Sequence, residues 1–222
     1  MNTNIQRSYK IKKLTAVAMF CALAFVLTYI KLPVGFLSLD IKDSVIVLCT
    51  LIFGPLAGLS IAILVPILEM ITHSSTGFFG LIMNMLSSVT FSMVTGVIYK
   101  YKKNFYGAIV CLLSGIFAVT AVMLLANLLV TPYYMGVSVQ EVAALIPKML
   151  LPFNLVKATL NGGVVLLLYK PLSEVLKKTG LVQAGQKSEK PAKKNRVRSL
   201  IVTAVAAVII AVSLAVIFFV LK

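Results

Sequence analysis

The sequence predicts an all-α integral membrane protein: a core of six transmembrane helices followed by one additional C-terminal transmembrane helix. Hydrophobic residues make up 60% of the 222 positions and charged residues 12%, with a mean hydropathy of +1.02. Water-soluble domains are only about half apolar. The apolar residues also fall into runs near the length of a crossing. The hydrocarbon is about 30 Å thick and a helix rises about 1.5 Å per residue, so about 20 residues suffice. A chain of this length holds little besides its spans, so energy for any transport must come from a partner.

Breaks at proline, glycine and charge place the core spans near residues 14–30, 44–53, 59–72, 81–99, 108–130 and 150–168. The second is short and Gly54-Pro55 separates it from the third, which predicts a tilted or incomplete second helix. Arg7, Lys10, Lys12 and Lys13 precede the first run. That run is too long for a signal peptide and lacks a cleavage site, so it is retained as a span.

Basic residues at span ends stay in the cytoplasm. With the N-terminus inside, the inner segments hold Lys100, Lys102, Lys103, Lys170, Lys177 and Lys178, and the outer ones chiefly Lys31, Lys42 and Lys148. The expectation is a multi-pass protein of the cell membrane with a cytoplasmic N-terminus. Its parts are a basic N-terminus (1–13), the six-helix core (14–180), a basic flexible linker (181–198) and the additional helix (199–222). The linker carries Lys190, Lys193, Lys194, Arg196 and Arg198 beside an apolar span, without interleaved aromatics. It suits anionic inner-leaflet lipid, at about 1 kcal/mol per basic side chain, rather than nucleic acid. Much of the net charge of +15 therefore reflects topology and this linker, not a ligand.

Cys21, Cys49 and Cys111 lie in separate apolar runs, without zinc or redox spacing, and read as core residues. The sequence has no phosphate-binding glycine loop, His/Cys metal cluster, Ser/His/Asp set or internal carboxylate pair. The expectation is a protein that is not an enzyme, with no catalytic residues, metal or cofactor.

Polar groups within a bilayer are costly and tend to face a cavity or a partner. Asn154 and Lys157, spaced i, i+3 in the sixth span, share a helical face. Their donors and acceptor suit a flat ligand rich in carbonyls and ring nitrogens. A second reading has Lys157 snorkelling to the surface and Asn154 satisfying backbone freed near Pro152. Asn127, near the outer end of the fifth span, either faces Asn154 or bonds a neighbouring helix. Glu69 either binds a proton or ion, or faces water at the interface, while His73 and Glu141 read as solvated loop residues. Asp43 is placed to cap the helix beginning at Ser44, and Asp40 to hold the outer loop over a pocket. Ala18 and Ala22, like Gly54 and Gly58, stand four apart, a spacing that permits close helix packing.

These residues resemble the riboflavin-specific substrate-binding components of energy-coupling-factor (ECF) transporters. The resemblance is carried by Leu39-Asp40-Ile41-Lys42-Asp43, Phe53-Gly54-Pro55-Leu56-Ala57-Gly58, Ser75-Thr76-Gly77, Asn127 with Thr131-Pro132, and Leu151-Pro152-Phe153-Asn154-Leu155-Val156-Lys157. Together they cover roughly residues 14–178. The resemblance implies a six-helix membrane protein holding riboflavin in a pocket open to the outside. Asn127, Asn154 and Lys157 would hydrogen-bond the flavin, and the loop containing Leu39 and Asp40 would help close over it. The face carrying Ala18 and Ala22 would meet a transmembrane coupling subunit, itself driven by two cytoplasmic ATPases. Some relatives carry a polar pattern early in the third helix. This chain reads Ala62-Ile63-Leu64-Val65-Pro66-Ile67 there, so that role is lost. The alternatives are a component for another flavin or vitamin, a small membrane enzyme, or an autonomous carrier.

Overall fold

The computed structural model describes residues 3–101 and 103–178, together with positions 204, 207, 208, 210–213 and 215, all eight of them helical. The predicted linker (181–198) lies outside the described residues, as does most of the final run.

The chain is mostly helical. In order come α1 (Thr3–Leu27), a small hairpin of β1 (Leu32–Val34) and β2 (Leu37–Leu39), α2 (Lys42–Phe53), α3 (Pro55–Thr72), α4 (Gly77–Tyr101), α5 (Phe105–Met135), α6 (Val139–Leu145), a π-helical turn (Ile146–Leu150) and α7 (Leu151–Lys178). Among the described residues, four stretches are long and apolar enough to cross a membrane: Pro55–Thr72, Gly77–Tyr101, Tyr106–Met135 and Val139–Val175.

The helix α2 is the short one expected from sequence. Its 12 residues extend roughly 18 Å at about 1.5 Å each, short of a crossing. It sits at the centre, packed against α1, α3, α4 and α7, and all its side chains but that of Ile52 are buried. Gly54 ends it at φ +100°, a backbone region L side chains rarely adopt, and Pro55 opens α3 at once. Gly58 then lets α3 approach closely, since a Cβ there would stand 1.7 Å from Thr50 Oγ1 and 2.6 Å from Ser92 Oγ. This glycine serves internal packing.

The alanines of α1 divide by face. Ala16, Phe20 and Ala24 are buried in the main core with Val45, Ile61 and Phe91, whereas Ala18 and Ala22 are exposed. The small pair therefore does not mediate packing among the described residues.

The hairpin lies where the sequence suggested only a loop. Leu32 pairs with Leu39 and Val34 with Leu37, and Gly35 carries φ +60° at the first position of the two-residue turn, as type II′ turns require. Val34 and Leu39 are buried and pack against Phe153 and Leu160 of α7. Any Cβ at Gly35 would lie 2.5 Å from Met149 Cε, so the hairpin tip rests on the π-helical turn.

Candidate functional site

Beneath the hairpin, between α4, α5 and α7, lies an open cavity of about 740 Å³ including its mouth. The hairpin roofs it with Phe36, Leu37 and Ser38. One wall carries Met123, Asn127, Val130 and Thr131 of α5 with Phe153, Asn154 and Lys157 of α7; the other carries Phe79, Gly80, Met83, Asn84 and Ser87 of α4. Apolar surface predominates, with a few polar groups converging on it, the composition that orients a flat organic molecule.

Asn127, Asn154 and Lys157, chosen from sequence, thus share one wall. Asn127 Nδ2 donates to Met123 O at 2.7 Å, and its Oδ1 accepts from Thr131 Oγ1 at 2.9 Å. Asn154 Nδ2 donates to Leu150 O at 2.7 Å. That carbonyl belongs to the last residue of the π-helical turn, a feature frequent at functional sites. An amide has two N–H donors and two acceptor lone pairs, so each asparagine keeps hydrogen-bonding capacity after its own helix is served.

Lys157 does not snorkel. Its Nζ lies 2.8 Å from Asp40 Oδ2 and 3.3 Å from Ser38 O, joining α7 to the root of the hairpin. Asp40 is buried and also meets Lys42 Nζ at 3.4 Å. Burial opposes its ionisation, and the ammonium groups of Lys157 and Lys42 overcome that, holding the carboxyl well below the usual carboxylate range. Asp40 does not line the cavity but positions a residue that does. The side chain of Leu39 packs with Val34, Phe153 and Leu160 instead of lining the cavity.

Three readings from sequence are corrected. Asp43 does not cap α2; it accepts from Ser87 Oγ at 3.2 Å and from Ser88 Oγ at 2.5 Å. The N-terminal amide of Ser44 is instead satisfied by Asn161 Oδ1 of α7 at 2.7 Å, while Asn161 Nδ2 donates to Asp40 O at 2.9 Å. Glu69 does not face water: it is buried, ion-paired with Lys31 and bonded by Asn84 Nδ2 at 3.0 Å. His73 is not simply solvated, since its ring stacks on Tyr29 with centroids 4.0 Å apart and its Nε2 lies 3.1 Å from Thr28 Oγ1.

Sequence reasoning missed Lys42, Asn84 and Asn161. Lys42 is fully buried among Asp40, Asp43 and Asn84, although its number along the chain suggests only a loop lysine. The signal for Asn161 was present: Asn154, Lys157 and Asn161 stand at i, i+3 and i+7 on one face. Asn84 gave none, because its importance lies in residues distant in sequence. Together, Lys31, Glu69, Asn84, Lys42, Asp40 and Lys157 form a continuous polar chain across the hairpin end, with Asp43 beside it. Three cations balance three carboxylates, as burial demands.

Such a fold and site define a membrane-embedded subunit that binds a small molecule. The family described as ECF transporter, substrate-specific component, matches residues 12–169. The riboflavin transporter RibU of Staphylococcus aureus (strain TCH60) is 32% identical over 177 residues, covering 75% of this chain and 93% of RibU. The riboflavin transporter FmnP of Bacillus subtilis (strain 168) is 29% identical over 161 residues, 67% of this chain and 85% of FmnP. A solved structure of the S component of a bacterial ECF transporter superposes with a TM-score of 0.66 at 32% identity, covering 76% of this chain and 99% of that one. This chain belongs to the substrate-specific components of ECF transporters.

Proposed function

We propose that this chain is the riboflavin-capturing subunit of an ATP-driven ECF vitamin importer, taking riboflavin from outside the cell and delivering it inward with its partners. The observation that carries the reading is the meeting of Asn127, Asn154 and Lys157 on one wall of a hairpin-roofed cavity. Kinship with two riboflavin transporters names the ligand. The donors of this wall read the carbonyl and nitrogen edge of the flavin, and apolar side chains such as Phe153 and Met83 hold its rings. Asp40 and the hairpin residues around Leu39 fix the roof and the Lys157 ammonium. Riboflavin is the transported ligand, and no cofactor is needed.

In this reading residues 14–180 form a six-helix core in the cell membrane, with the N-terminus (1–13) in the cytoplasm and the hairpin end outward. Ala18 and Ala22, exposed on α1, supply a smooth face for a transmembrane coupling subunit, and two cytoplasmic ATPases drive the cycle.

The test is to purify the full chain in detergent and identify what comes with it. A yellow preparation with flavin absorbance, and riboflavin by mass spectrometry, is the expected result. Failure of the stripped protein to quench riboflavin fluorescence on titration would remove this reading.

A further inference from the structure

The described positions of the C-terminal segment lie beyond the region shared with the family, and they differ by face. Val208, Ala211 and Val212 are exposed, the two valines at 61% and 56%. Ser213 is only 4% exposed and Ile210 is half-buried. Three positions apart on a helix, Ile210 and Ser213 share a face. Ile210 packs against the apolar cluster that Val34 and Leu39 of the hairpin form with Phe153 and Leu160 of α7. An anchor that met only lipid would show no such difference between its faces. A side chain as small as that of Ser213 on the buried face lets a helix approach its neighbour closely.

That cluster backs the roof of the cavity. Leu37 and Phe153 line the cavity and also belong to the cluster, whereas neither Ile210 nor Ser213 lines the cavity. A two-stranded hairpin is marginal by itself, and here each strand has three residues, so its position depends on what its apolar side chains rest against. The helix α7 supplies Phe153 and Leu160, and Ile210 adds an apolar contact from a separate helix. We infer that the helical segment carrying Ile210 and Ser213 is a partner surface built into the chain: it docks on the back of the hairpin and α7, away from the cavity, and braces the roof. Ala18 and Ala22 stay exposed with this segment in place, so the brace does not compete for that face of α1.

Two measurements on the full chain in detergent test this, and neither needs a ligand, so the riboflavin reading stands or falls separately. Ile210→Cys combined with Val156→Cys or with Leu160→Cys, one turn apart on α7, is expected to be joined by a short bifunctional maleimide. Mass spectrometry separates that link from the native thiols. Val212→Cys, on the exposed face, is expected to give no link with either. Absence of an Ile210 link at both positions, or equal linking from Val212, overturns the docking. Hydrogen exchange then reads the brace. Ile210→Ala is expected to quicken exchange at the hairpin amides by ~5-fold, the worth of part of one aliphatic side chain's burial, and to leave α4 unchanged; Val212→Ala is expected to change neither. Hairpin exchange equal to wild type, or a uniform rise along the chain, overturns the brace. Ile210→Val keeps the apolar contact and is expected to protect the hairpin nearly as wild type does; exchange as fast as in the alanine variant overturns the brace too.

Discussion

The ammonium of Lys157 lies 2.8 Å from Oδ2 of Asp40, 117 residues away in the chain, and 3.3 Å from the carbonyl of Ser38. One side chain thus touches the cavity and ties down its roof. Lys157→Ala is therefore expected to lower riboflavin affinity by ~10–100-fold, the range for losing a charged hydrogen bond. A fluorescence-quenching titration measures this, and unchanged affinity removes Lys157 from the site.

Asp40→Asn leaves Lys42 buried with Asp43 at 3.8 Å as its remaining carboxylate partner within ion-pair reach. Breaking one side of a buried ion pair costs ~3–5 kcal/mol. Thermal unfolding in detergent should shift to clearly lower temperature, and riboflavin affinity should fall with it because Lys157 loses its anchor. A variant as stable as wild type would mean that the cluster is not bound as described.

The pH dependence follows from the same pair. The carboxyl of Asp40 titrates below its unfolded value of about 3.9, because the two ammonium groups outweigh its burial. A depressed acid stabilises fully above its unfolded pKa and loses that contribution as pH falls through the folded one. Asp40 thus gives no change in stability between about pH 5 and 8, and a loss only in strong acid. Thermal melts from pH 8 down into strong acid check this, and the absence of any acid limb in Asp40-dependent stability would contradict it.

Asn161 caps α2 from another helix, accepting from the Ser44 amide and donating to the carbonyl of Asp40. Asn161→Ala is expected to cost about 1–2 kcal/mol, as lost caps do. Hydrogen exchange at the start of α2 should quicken. Protection equal to wild type at Ser44 would assign the cap elsewhere.

Ala18→Trp and Ala22→Trp place large side chains on an exposed face of α1. Riboflavin binding by the isolated chain should be unchanged, whereas uptake with coupling and ATPase subunits should collapse. Normal uptake would place the coupling surface on another face.

The apolar runs and their breaks located a helix at each predicted core span, because a span must be continuous and apolar to exist in lipid, but α1 begins at Thr3, α7 runs on to Lys178, and four stretches among the described residues are long and apolar enough to cross. The shortness of α2 was legible too, from Gly54-Pro55. The hairpin was not, since each of its strands has three residues and its pairing depends on resting against Met149 and Phe153. Asn127, Asn154 and Lys157 stood out because polar side chains are rare in apolar runs. Asn161 was legible from its i, i+7 spacing to Asn154, whereas what Lys42 and Asn84 do could not be read, since their partners come from elements distant in the chain.

By itself the sequence determined the membrane class, the order of the helices and which polar residues would have to be accommodated inside them. Tertiary structure decided which of those polar residues meet: Lys157 with Asp40, Asn161 with Ser44, Asn84 between Glu69 and Lys42. The reason is one of range. Hydropathy acts residue by residue along the chain, but a buried charge is tolerated only beside its counter-charge, and that partner is supplied by a helix folded back from far away.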